Sequence, residues 1–168
     1  YARNPELLEE AAYWSEVESA PPLAIPREFD APGNRYGDGE IVRVELEEDD
    51  TEALLTKAHG AHETQITDLL LTALARAARI CCGASRMRLL LEGHGREELA
   101  DGVEVSRTVG WFTTLFPTVL DLVGADEIPE QIRRIRNGLR RIPKKGIGYG
   151  ILKYLTPAEL RPKLLHAN

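Results

Sequence analysis

Residues 66–93 set the kind of fold open to this chain. Apolar Ile66, Leu69, Leu70, Ala73, Leu74 and Ala77 recur at helical spacing, and the helix is expected to start near Thr64 or Thr67 and to reach Cys81. Gly83 stands where a left-handed stop is needed. A few residues on, Met87 opens a run to Gly93 whose Leu89-Leu90-Leu91 centre has no polar alternation. Such a strand is expected to be covered on both faces, as in the middle of a helix-flanked sheet. A helix running directly into a buried strand predicts an α/β architecture.

The other elements are read around that pair. A first helix is expected over about residues 4–18, with Leu7, Leu8, Ala11, Ala12 and Trp14 apolar. Pro21, Pro22, Pro26, Pro32, Gly33, Gly37 and Gly39 follow and read as a linker. In IVRVEL (41–46), Val42, Val44 and Leu46 alternate with Arg43 and Glu45, which predicts a strand. A short helix should begin near Asp49 and Asp50, whose carboxylates suit the N-terminal dipole. TTLFPTVLDL (113–122) predicts a further strand, with Pro117 calling for an edge or a bulge. Asp126 is expected to cap the next helix, with Pro129 in its first turn. PKKGIGYG (143–150) reads as a glycine-bearing loop. A last helix should begin near Thr156-Pro157-Ala158-Glu159, which has capping-box spacing. The chain thus divides into 1–19, a linker over 20–40, and 41–168.

Charge narrows the function classes. The 168 residues carry a net −6, split into −10 over residues 1–84 and +4 over 85–168. Arg133, Arg134, Arg136, Arg140, Arg141, Lys144 and Lys145 supply much of the basic excess. Ile128, Ile132, Ile135, Leu139 and Ile142 recur among them at steps of four and three, so the stripe reads first as the solvated face of an amphipathic helix. An acidic partner or a phosphate is the second reading. Nucleic acid is not expected, because the chain is acidic overall and no aromatics interleave the arginines. No apolar run has membrane-spanning length, and YARNPELLEE is not a signal peptide. Adjacent Cys81 and Cys82 read as two small apolar residues at a helix end, in a reducing, cytoplasmic compartment. His59, His62 and His94 lack any zinc-protease spacing, and no metal is expected. With no initiator Met and a start inside a helical pattern, the chain is expected to be part of something longer.

One segment carries chemistry on physical grounds. The apolar strand runs into Glu92-Gly93-His94-Gly95-Arg96-Glu97. A carboxylate at the end of such a strand is expected to be partly desolvated, which moves it toward the range of a general base. The glycines allow a substrate or another backbone to come close. A polar strand end followed by an ordinary turn is the alternative reading of the same residues.

EGHGRE (92–97), RTVGWFTTLFP (107–117), PKKGIGYG (143–150) and the helix text TDLLLTALARA (67–77) together resemble epimerization domains of nonribosomal peptide synthetases, in that family's order and spacing. PELLEEAAYW (5–14) before the proline-rich stretch is similar to the family's crossing between lobes. The resemblance implies a chloramphenicol acetyltransferase-like lobe, a mixed β-sheet flanked by helices. On this reading residues 1–19 end the first lobe, and 41–168 form the C-terminal lobe. The family's first-lobe HHxxxDG and its closing motif, similar to FNYLG, do not occur in this sequence.

The resemblance implies an isomerase that inverts the α-carbon of an aminoacyl or peptidyl thioester. The phosphopantetheine arm of a peptidyl carrier protein presents that substrate, and no cofactor takes part in the chemistry itself. Glu92 is the implied acid/base residue, with its counterpart, a histidine, on the first lobe. Arg107 is implied to orient Glu92 or hold the thioester region. His94, Arg96, Trp111 and Tyr149 are implied to shape the loop or line the tunnel, with Trp111 and Phe112 as tunnel wall or core. Other readings are the same lobe of a condensation or dual condensation/epimerization domain, or a carrier-docking lobe without activity of its own. The 168 residues are expected to fold but to be incomplete as a catalyst.

Overall fold

The computed structural model describes residues 1–26, 35–58, 64–98 and 103–161. The expected first helix is two. α1 (Pro5–Glu9) starts at Asn4, whose Oδ1 accepts the Glu6 amide at 2.9 Å, and α2 (Ala11–Ser19) follows after Glu10. α3 (Glu48–Glu52) opens where the paired aspartates predict a helix and widens into a π-type turn at Ala53–Lys57. α4 (Ile66–Cys82) is the expected amphipathic helix. Its Asp68 carboxylate accepts the Gln65 amide at 2.8 Å, and Gly83 ends it at φ +67°. Cys81 and Cys82 are free thiols at its last turn.

β1 (Arg86–Gly93) and β2 (Thr114–Asp121) pair antiparallel, from Arg86 opposite Asp121 to Gly93 opposite Thr114. Pro22 adds a parallel bridge to Arg88 on the other edge of β1, so part of the expected linker joins the sheet. Pro117 keeps regular register opposite Leu90; it marks an edge strand and no bulge.

Met87, Leu120 and Leu122 pack with Leu71, Ala75 and Ala78 of α4 and with Ile135 of α5 (Ile128–Arg140). A second cluster joins Leu7 and Trp14 to Phe116, Tyr149 and Leu152, so α1 and α2 are built into the same body as the sheet. Trp14 lies 5.2 Å from the Tyr149 ring and 6.4 Å from that of Phe116, within the range of attractive aromatic pairs. Gln131, fully buried, donates to the carbonyls of Ala125 and Asp126 and accepts from Arg76 at 2.6 Å, which ties α5 to α4.

Four expectations are corrected. Residues 41–46 form no regular element: Ile41, Val42, Val44 and Leu46 are all exposed and no described strand pairs with them, so alternation alone does not make a strand there. Leu90 is 58% exposed. The triple-leucine strand is therefore covered on its Met87–Leu89–Leu91 face and open on the other. Asp126 is not the cap of α5. Glu127 holds that position without a side-chain bond, Pro129 does sit in the first turn, and Asp126 lies 3.7 Å from Arg79. Thr156 begins no helix: it is buried with its hydroxyl on the Ile151 carbonyl, and residues 158–160 form a turn. Residues 162–168, like His59 and His62, lie outside those described.

The basic stripe follows its periodicity in the middle of α5 only: Ile128 is 51% exposed, and Lys144 and Lys145 lie beyond the helix in the next turn. Ile132 and Ile135 are buried, while Arg133 and Arg134 bind Glu130, which holds that carboxyl below the usual glutamate range. Among the described residues no helix is long and apolar enough to cross a membrane.

Candidate active site

Glu92 is delivered by the last turn of the β1 ladder, opposite Leu115. Alternation along the strand puts Leu90 and Glu92 on the same face. That face is open: Glu92 is exposed, Leu115 is 57% exposed, and Leu90 and Leu115 line a groove whose far wall includes Ile151, Tyr154 and Leu155. Among the described residues, nothing supplies the desolvation expected from the apolar strand. The carboxylate stands instead beside an apolar surface that nothing described here covers.

The loop after Glu92 is pressed onto the start of β2. Gly95 has φ +65°, and a Cβ on it would sit 1.6 Å from the Phe112 carbonyl oxygen, so no side chain fits. Arg96 then reaches across. Its guanidinium donates to the carbonyls of Val105 at 2.7 Å, Thr108 at 3.0 Å and Gly110 at 3.3 Å, and its Cζ lies 4.2 Å from the centre of the Phe112 ring. A planar fork with several donors suits this better than any other side chain. Glu97 binds the opposite way. One carboxylate oxygen lies 3.1 Å from His94 Nε2 and the other 3.3 Å from Lys145 Nζ.

PKKGIGYG is not the open loop its glycines suggest. Pro143–Gly146 makes a tight turn, and α6 (Ile147–Gly150) follows and passes into a π-type turn at Ile151–Leu155. Gly146, at φ +88°, lies flat on Phe116, where a Cβ would approach the ring to 2.2 Å. A Cβ on Gly148 would meet Glu10 Oε2 at 2.1 Å. Glu10 accepts the Trp14 indole N–H at 3.0 Å, and burial pushes its carboxyl above the usual range against the pull of Trp14 and Lys144.

Tyr149 is buried. Its hydroxyl donates to Glu18 and accepts from Lys153 at 2.8 Å, while Lys153 lies 3.4 Å from the same Glu18 carboxylate. Burial, and then the Glu18 bond, raise the Tyr149 hydroxyl above its ordinary range. Burial draws the Lys153 ammonium down, but Tyr149 and Glu18 together leave it raised.

The structure therefore brings Glu92, His94, Arg96, the 105–112 backbone and Lys145 into one region. Arg107 is exposed and, among the described residues, makes no bond to Glu92. Trp111 is 88% exposed and so is no part of this chain's core. Sequence reading missed Glu97 and Lys145 as partners, since it counted Lys145 in the basic stripe. It also missed Glu18 with Lys153, which lie 135 residues apart and leave no local signal.

Known proteins resemble this chain along most of its length. The condensation domain family model matches residues 1–165. The chain is 42% identical over 159 residues to bacitracin synthase 2 of Bacillus licheniformis, covering 95% of this chain and 6% of that protein. It is 41% identical over 165 residues to gramicidin S synthase 1 of Brevibacillus brevis, covering 98% and 15%. Among solved structures, the epimerization domain from the third module of tyrocidine synthetase B superposes with a TM-score of 0.89 at 41% identity, over all of this chain and 38% of that one. The chain thus spans a small part of the curated relatives it matches. With its helix-flanked sheet and these matches along nearly its whole length, the chain belongs to the condensation domain family.

Proposed function

We propose that this chain is the C-terminal lobe of an epimerization domain, which inverts the α-carbon of an aminoacyl or peptidyl thioester in nonribosomal peptide synthesis. The substrate hangs on the phosphopantetheine arm of a peptidyl carrier protein, and no cofactor acts in the deprotonation. A base takes the α-proton, the electron pair passes into the thioester as an enolate, and an acid returns a proton to the opposite face. Glu92 performs one of these transfers. The second group, a histidine, comes from chain outside these 168 residues, as does the cover over the open face of β1.

The observation that carries this reading is the position of Glu92. It is a carboxylate held in the β1 ladder opposite Leu115, free of any ion pair among the described residues, beside an exposed apolar groove, and followed by a loop that Arg96 ties to the 105–110 backbone. EGHGRE and RTVGWFT, and the likeness to the tyrocidine synthetase epimerization domain, support the choice of isomerase over acyltransferase. The test uses the complete polypeptide carrying this sequence. A carrier-bound α-deuterated aminoacyl thioester should lose its label to water with no second substrate present. In a second arm, with an acceptor aminoacyl thioester added, amide formation without loss of label would instead assign the domain to condensation, and loss of label together with amide formation to the dual class.

A further inference from the structure

Lys144 and Lys145 both adopt positive φ, 40° and 52°, immediately before Gly146. Left-handed backbone is costly for residues with a Cβ and persists where surrounding contacts hold it. Here the turn sets Lys145 Nζ 3.3 Å from one oxygen of Glu97, a side chain only 18% exposed. The other oxygen faces His94 Nε2 at 3.1 Å, and His94 Nδ1 accepts the Arg96 amide at 3.0 Å. The Arg96 amide on Nδ1 and the Glu97 oxygen beside Nε2 together favour hydrogen on Nε2, so displacing Glu97 weakens that preference. His94 stands between Gly93 and Gly95. Gly93 is the last residue of the β1 ladder, so the segment that this bracing holds begins at His94.

We infer that Lys145 is a positioning residue which, through Glu97 and His94, sets the loop after Glu92 and with it the placement of the Glu92 carboxylate. The inference rests on the role proposed above for Glu92. Lys145 is 76% exposed, and an ion pair that open adds little to stability. Its removal therefore acts on geometry and leaves the fold in place.

The test compares Lys145→Met, Lys145→Arg, Lys145→Gly and Glu97→Gln in the complete polypeptide, with nitrogen-15 labelled histidine. The wild type should show His94 as the Nε2–H tautomer. Lys145→Met, Lys145→Gly and Glu97→Gln should give a mixed tautomer and lower kcat for α-hydrogen exchange by about ten- to a hundredfold at unchanged KM. Lys145→Arg should restore both. Lys145→Gly keeps the positive φ at no steric cost, so its loss of rate cannot be laid to backbone strain. An unchanged tautomer, or an unchanged kcat, in Lys145→Met overturns the inference. A wild type without α-hydrogen exchange defeats the proposed function on its own, and the tautomer comparison then still decides whether Lys145 governs His94.

Discussion

The guanidinium of Arg96 lies 4.2 Å from the centre of the Phe112 ring while donating to three backbone carbonyls between Val105 and Gly110. One side chain thus holds the loop after Glu92 to the segment before β2. Arg96→Lys keeps the charge and loses the fork. It should cost about 2 kcal/mol, because the carbonyls lose charge-assisted donors. Amide hydrogen exchange over 105–110 should quicken well beyond that in α4, and equal protection in both proteins would count against this role.

Gly146→Ala should be among the most damaging single changes. It adds a Cβ 2.2 Å from the Phe116 ring at φ +88°, and overpacking combined with backbone strain costs about 3 kcal/mol or more. Gly148→Ala meets a movable carboxylate instead, that of Glu10. The double variant Glu10→Ala/Gly148→Ala should be more stable than the sum of the single changes by about 1 kcal/mol, read from thermal unfolding. Strict additivity would mean that the two residues do not touch.

Glu10 gives a pH signature. Burial raises its carboxyl, so the folded chain favours the protonated form. Its contribution is fully present below the ordinary glutamate range and is lost as pH rises through the raised value. Glu10→Gln keeps an acceptor for Trp14 and removes the titration. It should be more stable than wild type at neutral pH, with the gap closing toward pH 4; a gap that widens on acidification would reverse the assignment.

Lys153→Met leaves the fully buried Glu18 carboxylate without its cation and should cost about 3–5 kcal/mol. Lys153→Met/Glu18→Gln should recover much of that loss, because no unpaired charge remains buried. Urea midpoints of the two variants make the comparison, and a double variant less stable than the single one would show that the loss of Lys153 does not act through Glu18.

What the sequence made legible was local. The 3.6-residue rhythm of Leu69, Ala73 and Ala77 with Gly83 as stop placed α4 to within a few residues, and Pro117 announced an edge strand. Long-range partners decided what was not legible. Val42, Val44 and Leu46 have the alternation of a strand, but a strand exists only where another backbone lies alongside. Leu90 has the hydrophobicity of a core residue, yet the described residues leave its face open. The glycines of GIGYG predict a loop, whereas Gly146 and Gly148 mark close packing, because Phe116 and Glu10 occupy the space their side chains would fill. At the candidate site the motif containing Glu92 was legible. Its bracing through Glu97 and Lys145 was not, since the two are nearly fifty residues apart in sequence.

The most direct measurement is the rate at which α-deuterium washes out of a carrier-bound aminoacyl thioester, with the complete polypeptide and its Glu92→Gln variant. Loss of a positioned acid or base should lower that rate by about 10²–10⁴-fold, with unfolding and carrier binding unchanged. Washout at the wild-type rate in Glu92→Gln would show that this carboxylate does not move the proton.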